Sequence, residues 1–174
     1  SMRSSRCQRF VSIVVMIAMG MASCPVYTFA NIDNTYDVKI GPNIGSGEEM
    51  GVSVATGDVN NDGYADLIVG AYRYSSQTGH VKVYYGSVSG VDTTADVTLT
   101  GENASDRFGV SVVAADVNND GYDDVIVGAY TYGSNTGRAY VFYGGATMNN
   151  TADVTMTGEN INDYFGYVLS SGDV

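Results

Sequence analysis

Cysteine is nearly missing from this chain: of its 174 residues only Cys7 and Cys24 carry a thiol, and both precede residue 31. From there on, neither a disulfide framework nor a thiol nucleophile is available. Histidine occurs once, as His80, so no acid–histidine pair recurs. Basic residues are also scarce. Beyond Ala30, only Lys39, Arg73, Lys82, Arg107 and Arg138 stand against 19 Asp and Glu, leaving a net charge of −14. That balance argues against nucleic acid and anionic membrane surfaces as partners. Long apolar runs are lacking as well. The run from Val11 to Ala22 is too short to span a bilayer comfortably as a helix. After Ala30 no stretch repeats its apolar residues with a helical period.

The stretch from Ser1 to Ala30 reads as a targeting segment. Arg3, Arg6 and Arg9 precede the apolar run, Pro25 breaks it, and Thr28-Phe29-Ala30 puts small residues where a signal peptidase cuts. The expectation is a signal peptide over 1–30 with cleavage after Ala30, hence a secreted, periplasmic or cell-surface protein with no transmembrane helix in the mature chain. Met21-Ala22-Ser23-Cys24 approximates a lipobox, which would instead anchor the chain through a lipidated Cys24.

What the chain does contain is repetition. Asp58-Val59-Asn60-Asn61-Asp62-Gly63-Tyr64-Ala65-Asp66 returns almost unchanged as Asp116-Val117-Asn118-Asn119-Asp120-Gly121-Tyr122-Asp123-Asp124. Oxygen-bearing side chains stand at positions 1, 3, 5 and 9, and a glycine at position 6 permits a sharp turn round a hard cation, with position 7 supplying a main-chain carbonyl. The predicted calcium ligands are Asp58, Asn60, Asp62, Tyr64 and Asp66 in one loop, and Asp116, Asn118, Asp120, Tyr122 and Asp124 in the other. An EF-hand would need a bidentate Glu at position 12, where Val69 and Val127 stand. The β-branched runs Leu67 to Tyr72 and Val125 to Tyr130 read instead as buried strands. A plain polar turn of Asp, Asn and Gly accounts less well for so long a duplicated pattern.

The interval from Asp58 to Asp116 returns, one position shorter, between Asp116 and Asp173, and Gly51 to Tyr72 matches Gly109 to Tyr130 at 17 of 22 positions. Each unit continues through an alternating strand, Gly79 to Gly86 or Gly137 to Gly144, and ends in Ala95 to Asn103 or Ala152 to Asn160. Four short strands per unit, the acidic loop between the first two, predict an all-β fold of four-stranded antiparallel propeller blades. A blade cannot bury both faces alone, so its neighbours must cover them.

Phe108-Gly109, the loop beginning at Asp116, and Gly128-Ala129 resemble the FG-GAP repeat of integrin alpha-subunit propellers and many bacterial secreted proteins. The likeness covers about residues 36 to 174: repeat 1 over about 50–103, repeat 2 over about 108–160, and a partial repeat 3 over about 165–174. Met50-Gly51 replaces Phe-Gly in the first repeat, and Tyr72 and Tyr130 stand where the family name has proline. The resemblance implies bound Ca2+ at the ten ligand positions above, and protein or carbohydrate ligands on loops at one propeller end. Tyr36 to Gly41 resembles a lone outer strand, so the expected architecture is about two and a half blades, with further repeats of the same chain needed to close the propeller.

Catalytic motifs are hard to find. His80 has Arg138 as its repeat counterpart and reads as an exposed strand end. Gly86-Ser87-Val88-Ser89-Gly90 puts valine where a nucleophile elbow needs serine and sits between strands, which fits a turn. Tyr84, Tyr85, Tyr140 and Tyr143 read as blade packing, with carbohydrate stacking by exposed aromatics as the other reading. Asn103-Ala104-Ser105 and Asn149-Asn150-Thr151 match glycosylation sequons. The expected function is a calcium-binding, non-catalytic scaffold for binding or adhesion. The alternative is an accessory propeller of a secreted hydrolase or lyase, and a purely structural stalk is a third class.

Overall fold

The computed structural model describes residues 48–172. The predicted signal peptide, Cys24, the lone strand at 36–41 and Asp173 lie outside the described residues. Within them the fold is all-β, as expected. Strands β1 (Ser53–Gly57), β2 (Asp66–Ala71), β3 (His80–Tyr84) and β4 (Val97–Thr100) form one antiparallel meander, and β5 (Ser111–Ala115), β6 (Asp124–Ala129), β7 (Arg138–Phe142) and β8 (Val154–Thr157) form the second. Val54 pairs with Val69 in the first sheet and Val112 with Val127 in the second, so the registers repeat. β2 and β6 are buried along their whole length. This agrees with their unbroken β-branched runs, since a strand covered on both faces has no reason to alternate. In such a meander the β1–β2 and β5–β6 loops share one end, and the β2–β3 and β4–β5 connections share the other.

The seam between the sheets explains the repeat motif physically. β1 lies against β5, and one apolar core runs across both sheets, from Ile68, Val81, Val83 and Leu99 to Val125, Val127, Tyr140 and Phe142. Phe108 is fully buried in it, edge-on to Tyr140 at 5.2 Å and to Phe142 at 6.1 Å between ring centroids. Burying such a ring stabilises by about 1.5–3 kcal/mol. Gly109 follows at φ +87, where a side chain is strained, and Gly70 lies so close to the Gly109 carbonyl that a Cβ there would collide with it. The Phe-Gly of one unit thus seats on the Gly-Ala of the preceding one. Gly128 meets the Gly166 carbonyl in the same way.

Polar contacts hold the seam at the end opposite the acidic loops. The one-turn segments α1 (Tyr74–Gln77) and α2 (Tyr132–Asn135) carry left-handed residues, Ser75 at φ 46 and Ser76 at φ 58 in the first, Gly133 at φ 58 and Ser134 at φ 61 in the second. This geometry turns the carbonyls of Ser76, Gln77 and Thr78 toward the next unit, where they accept from the N–H groups of Ser105, Arg107 and Phe108 at 3.1, 2.8 and 3.1 Å. Asn135 and Thr136 repeat this with Tyr164 and Phe165.

His80 is not an exposed strand end. It is 3% exposed, with its ring 4.2 Å from that of Tyr74. The β3 end packs under the chain that enters the next unit, and the His80 carbonyl lies against Gly109, a tertiary contact that strand periodicity does not report.

Candidate metal centre

Each acidic loop is held in its turn by its own oxygens. In the first, Asp58 Oδ1 accepts from the Asp62 N–H at 3.0 Å and Oδ2 from the Gly63 N–H at 2.9 Å. Asn60 Oδ1 also accepts from Asp62 N–H at 3.0 Å, and Asp62 Oδ1 from Tyr64 N–H at 2.9 Å. The second loop repeats every contact: Asp116 with the N–H groups of Asp120 and Gly121, Asn118 with Asp120, and Asp120 with Tyr122. Asn61 at φ 54 and Gly63 at φ 87, with Asn119 and Gly121 as counterparts, supply the left-handed steps that close the turn. Positions 1, 3 and 5 are therefore drawn together in both loops. Tyr64 is 44% exposed.

Position 9 behaves differently. Asp66 and Asp124 are completely buried. Asp66 Oδ2 accepts from the Val59 N–H at 2.8 Å and Oδ1 from the Gly86 N–H at 2.7 Å, which ties the loop to the end of β3. Asp124 does the same with Val117 and Gly144. Burial pushes both carboxyls above the usual range, the amide donors pull back, and the neighbouring loop carboxylates push further in the same direction as burial. Among the described residues, no three His, Cys, Asp or Glu side chains converge as a metal cluster.

The donor set nonetheless fits a hard cation. It is all oxygen, from carboxylate, amide and carbonyl, the kind calcium takes and softer metals do not favour. Each carboxylate oxygen that accepts one N–H keeps a second lone pair. Where bound, the ion would be held by Asp58, Asn60, Asp62, the Tyr64 carbonyl and Asp66, or their counterparts, and would supply charge neutralisation and cross-linking of the turn.

Asp123 belongs to none of the repeated ligand positions. It is position 8 of the second loop, where the first has Ala65, and its Oδ2 accepts from the Asp58 N–H at 2.8 Å across the seam. The one signal available was that substitution inside an otherwise matching loop.

Other singled-out residues take structural places. The His80 Nε2 is buried without a hydrogen-bond partner among the described residues, and burial lowers its pKa, with Lys82 adding to the effect. Ser87 to Gly90 closes a turn by the Gly90 N–H to the Ser87 carbonyl at 2.9 Å, with Val88 exposed. Tyr84 and Tyr140 are buried in the blades. At the end away from the acidic loops, Tyr130 lies 4.8 Å from Tyr167 and carries the Arg107 guanidinium over its ring at 5.3 Å. Asn103 Nδ2 is spent on Asp106 at 3.0 Å.

Two meanders stacked through Phe-Gly and Gly-Ala contacts, each with an acidic hairpin loop, define a propeller-blade protein. The chain belongs to the FG-GAP repeat family, whose profile matches residues 50–96 and 108–142. It is 34% identical over 142 residues to phosphatidylinositol-glycan-specific phospholipase D of Bos taurus, a match that covers 72% of this chain and 17% of that protein. Integrin alpha-5 of Xenopus laevis is 32% identical over 134 residues, covering 72% and 12%. Integrin alpha-6 of Homo sapiens is 33% identical over 131 residues, covering 72% and 11%. The chain thus spans less than a fifth of the length of these relatives.

Proposed function

We propose that the chain is a calcium-bearing FG-GAP propeller segment, exported by residues 1–30, that serves outside the cytoplasm as a rigid scaffold for protein or glycan ligands. The observation that carries this is the pair of matching all-oxygen loops at one end of stacked blades. Similarity to integrin alpha chains supports the adhesive side of the reading. Among the described residues no helix is long and apolar enough to cross a membrane. Further repeats would continue the stack. β8 leaves Val154 37% and Met156 42% exposed, whereas their counterparts Val97 and Leu99 in β4 are 8% and 0% exposed. The test is retention of the chain on arrays of extracellular proteins and glycans, with and without a calcium chelator. Calcium-dependent binding, lost in Asp62→Ala plus Asp120→Ala, supports the reading, and binding indifferent to both contradicts it.

The second reading, an accessory propeller within a secreted hydrolase, is favoured by the similarity to phospholipase D. Hydrolysis of phosphatidylinositol-glycan by the purified chain would overturn a non-catalytic role for this segment. Export is checked by N-terminal mass spectrometry, which distinguishes a chain starting at Asn31 from one lipidated at Cys24.

A further inference from the structure

We infer that Asp123 couples the two loops, so that calcium in one raises the affinity of the other; this rests on the calcium reading above. Asp123 stands between Tyr122 and Asp124, two of the residues assigned to the second ion. Its Oδ2 accepts from the Asp58 N–H at 2.8 Å, and its own N–H donates to the Asp58 carbonyl at 3.1 Å. One residue of the second loop therefore holds both main-chain polar groups of the first ligand of the first loop. The next residue is held as firmly. Val59 donates to Asp66 Oδ2 at 2.8 Å, and its carbonyl accepts from the Gly145 N–H, beyond β7, at 2.8 Å. The loops also come near each other at their tips, where a Cβ added to Gly121 would reach within 3.7 Å of Asn61 Nδ2.

The leading edge of the first loop is thus built against the second unit, through a residue the first loop lacks. An ion drawing on Tyr122 and Asp124 restrains the residue between them, and Asp123 passes that restraint to Asp58. Ordering already present need not be supplied again when the next ion binds. Because coupling is reciprocal, the first ion must favour the second by the same factor.

The whole chain is titrated with calcium by calorimetry, beside Asp62→Ala, which silences the first loop, and Asp120→Ala, which silences the second. The surviving site in each variant should bind about tenfold more weakly than in the unaltered protein, the order of one hydrogen bond to a charged group. Asp123→Ala should leave two sites whose affinities no longer depend on each other, while Asp123→Asn, which keeps an oxygen acceptor, should restore most of the coupling. Amide exchange gives a second readout: calcium added to Asp62→Ala should slow exchange at Asp58, and should not when Asp123→Ala is added. Two ions bound with affinities unchanged by silencing either loop, or an Asp123→Ala protein indistinguishable from the unaltered one, overturns the coupling alone. Absence of any calcium uptake at millimolar concentration overturns the calcium reading and this inference with it. If Asp123→Ala fails to fold by circular dichroism, Asp62→Ala, Asp120→Ala and Asp123→Asn decide the matter.

Discussion

The duplicated loops contain a paired experiment on what neighbouring blades contribute to stability. Val59 and Val117 occupy the same loop position, yet Val59 is 0% exposed in the core shared with the second sheet, and Val117 is 56% exposed. Val59→Ala removes two buried methyl groups at about 0.8 kcal/mol each and leaves a cavity bounded by strands held in register on both sides. The combined cost should be about 2–3 kcal/mol. Val117→Ala removes the same atoms from a site already half in water and should cost less than about 0.5 kcal/mol. In urea denaturation with calcium present, an m-value of about 2 kcal/mol/M makes the first shift a drop in midpoint of roughly 1 M and the second scarcely measurable. Equal shifts for the two variants would refute the claim that the leading edge of one loop is packed by the next unit.

Three further outcomes follow from buried groups. Gly79 sits at φ +82 with the Phe108 carbonyl where a Cβ would be, so Gly79→Ala should destabilise by at least about 2 kcal/mol, read as a lowered Tm. The Tyr140 hydroxyl is buried with no hydrogen-bond partner among the described residues, and desolvation followed by nearby Glu102 raises its pKa. Tyr140→Phe should therefore be neutral or stabilising by up to about 1 kcal/mol in equilibrium unfolding. Burial, then the charge of Lys82, depresses the His80 pKa below its ordinary 6.5, while Glu48 opposes them weakly. The unfolded chain then binds the proton more readily than the folded one, so this contribution to stability is intact above pH 6.5 and is lost as pH falls from there toward the folded pKa. His80→Phe, which keeps a ring against Tyr74, should flatten the difference in Tm between pH 7 and pH 5; an unchanged slope would contradict the assignment.

Much of this architecture was legible in the residues because the chain states it twice. The β-branched runs at Leu67 and Val125, the Asp-Asn-Asp-Gly loops and the alternating strand at Gly79 each carry a local period or turn chemistry that needs no partner to be read. Burial of His80 was not legible, since it depends on Tyr74 and on the chain entering the next unit, neither of which alters the pattern of β3. The left-handed turn at Ser75 and Ser76 was hidden because neither is glycine, and the contacts that repay its strain, carbonyls to the N–H groups of Ser105, Arg107 and Phe108, are made only where the next repeat begins. Asp123 was hidden in another way: its importance lies across the seam, at Asp58, while its own loop is complete without it.

The central claim is that the two loops take calcium. Calorimetric titration of the chain should give two ions per molecule, with dissociation constants of about 10⁻⁴ to 10⁻³ M, the range of extracellular calcium modules, and Asp62→Ala and Asp120→Ala should each remove one. No heat at millimolar calcium, or an unchanged titration when both substitutions are combined, would contradict it.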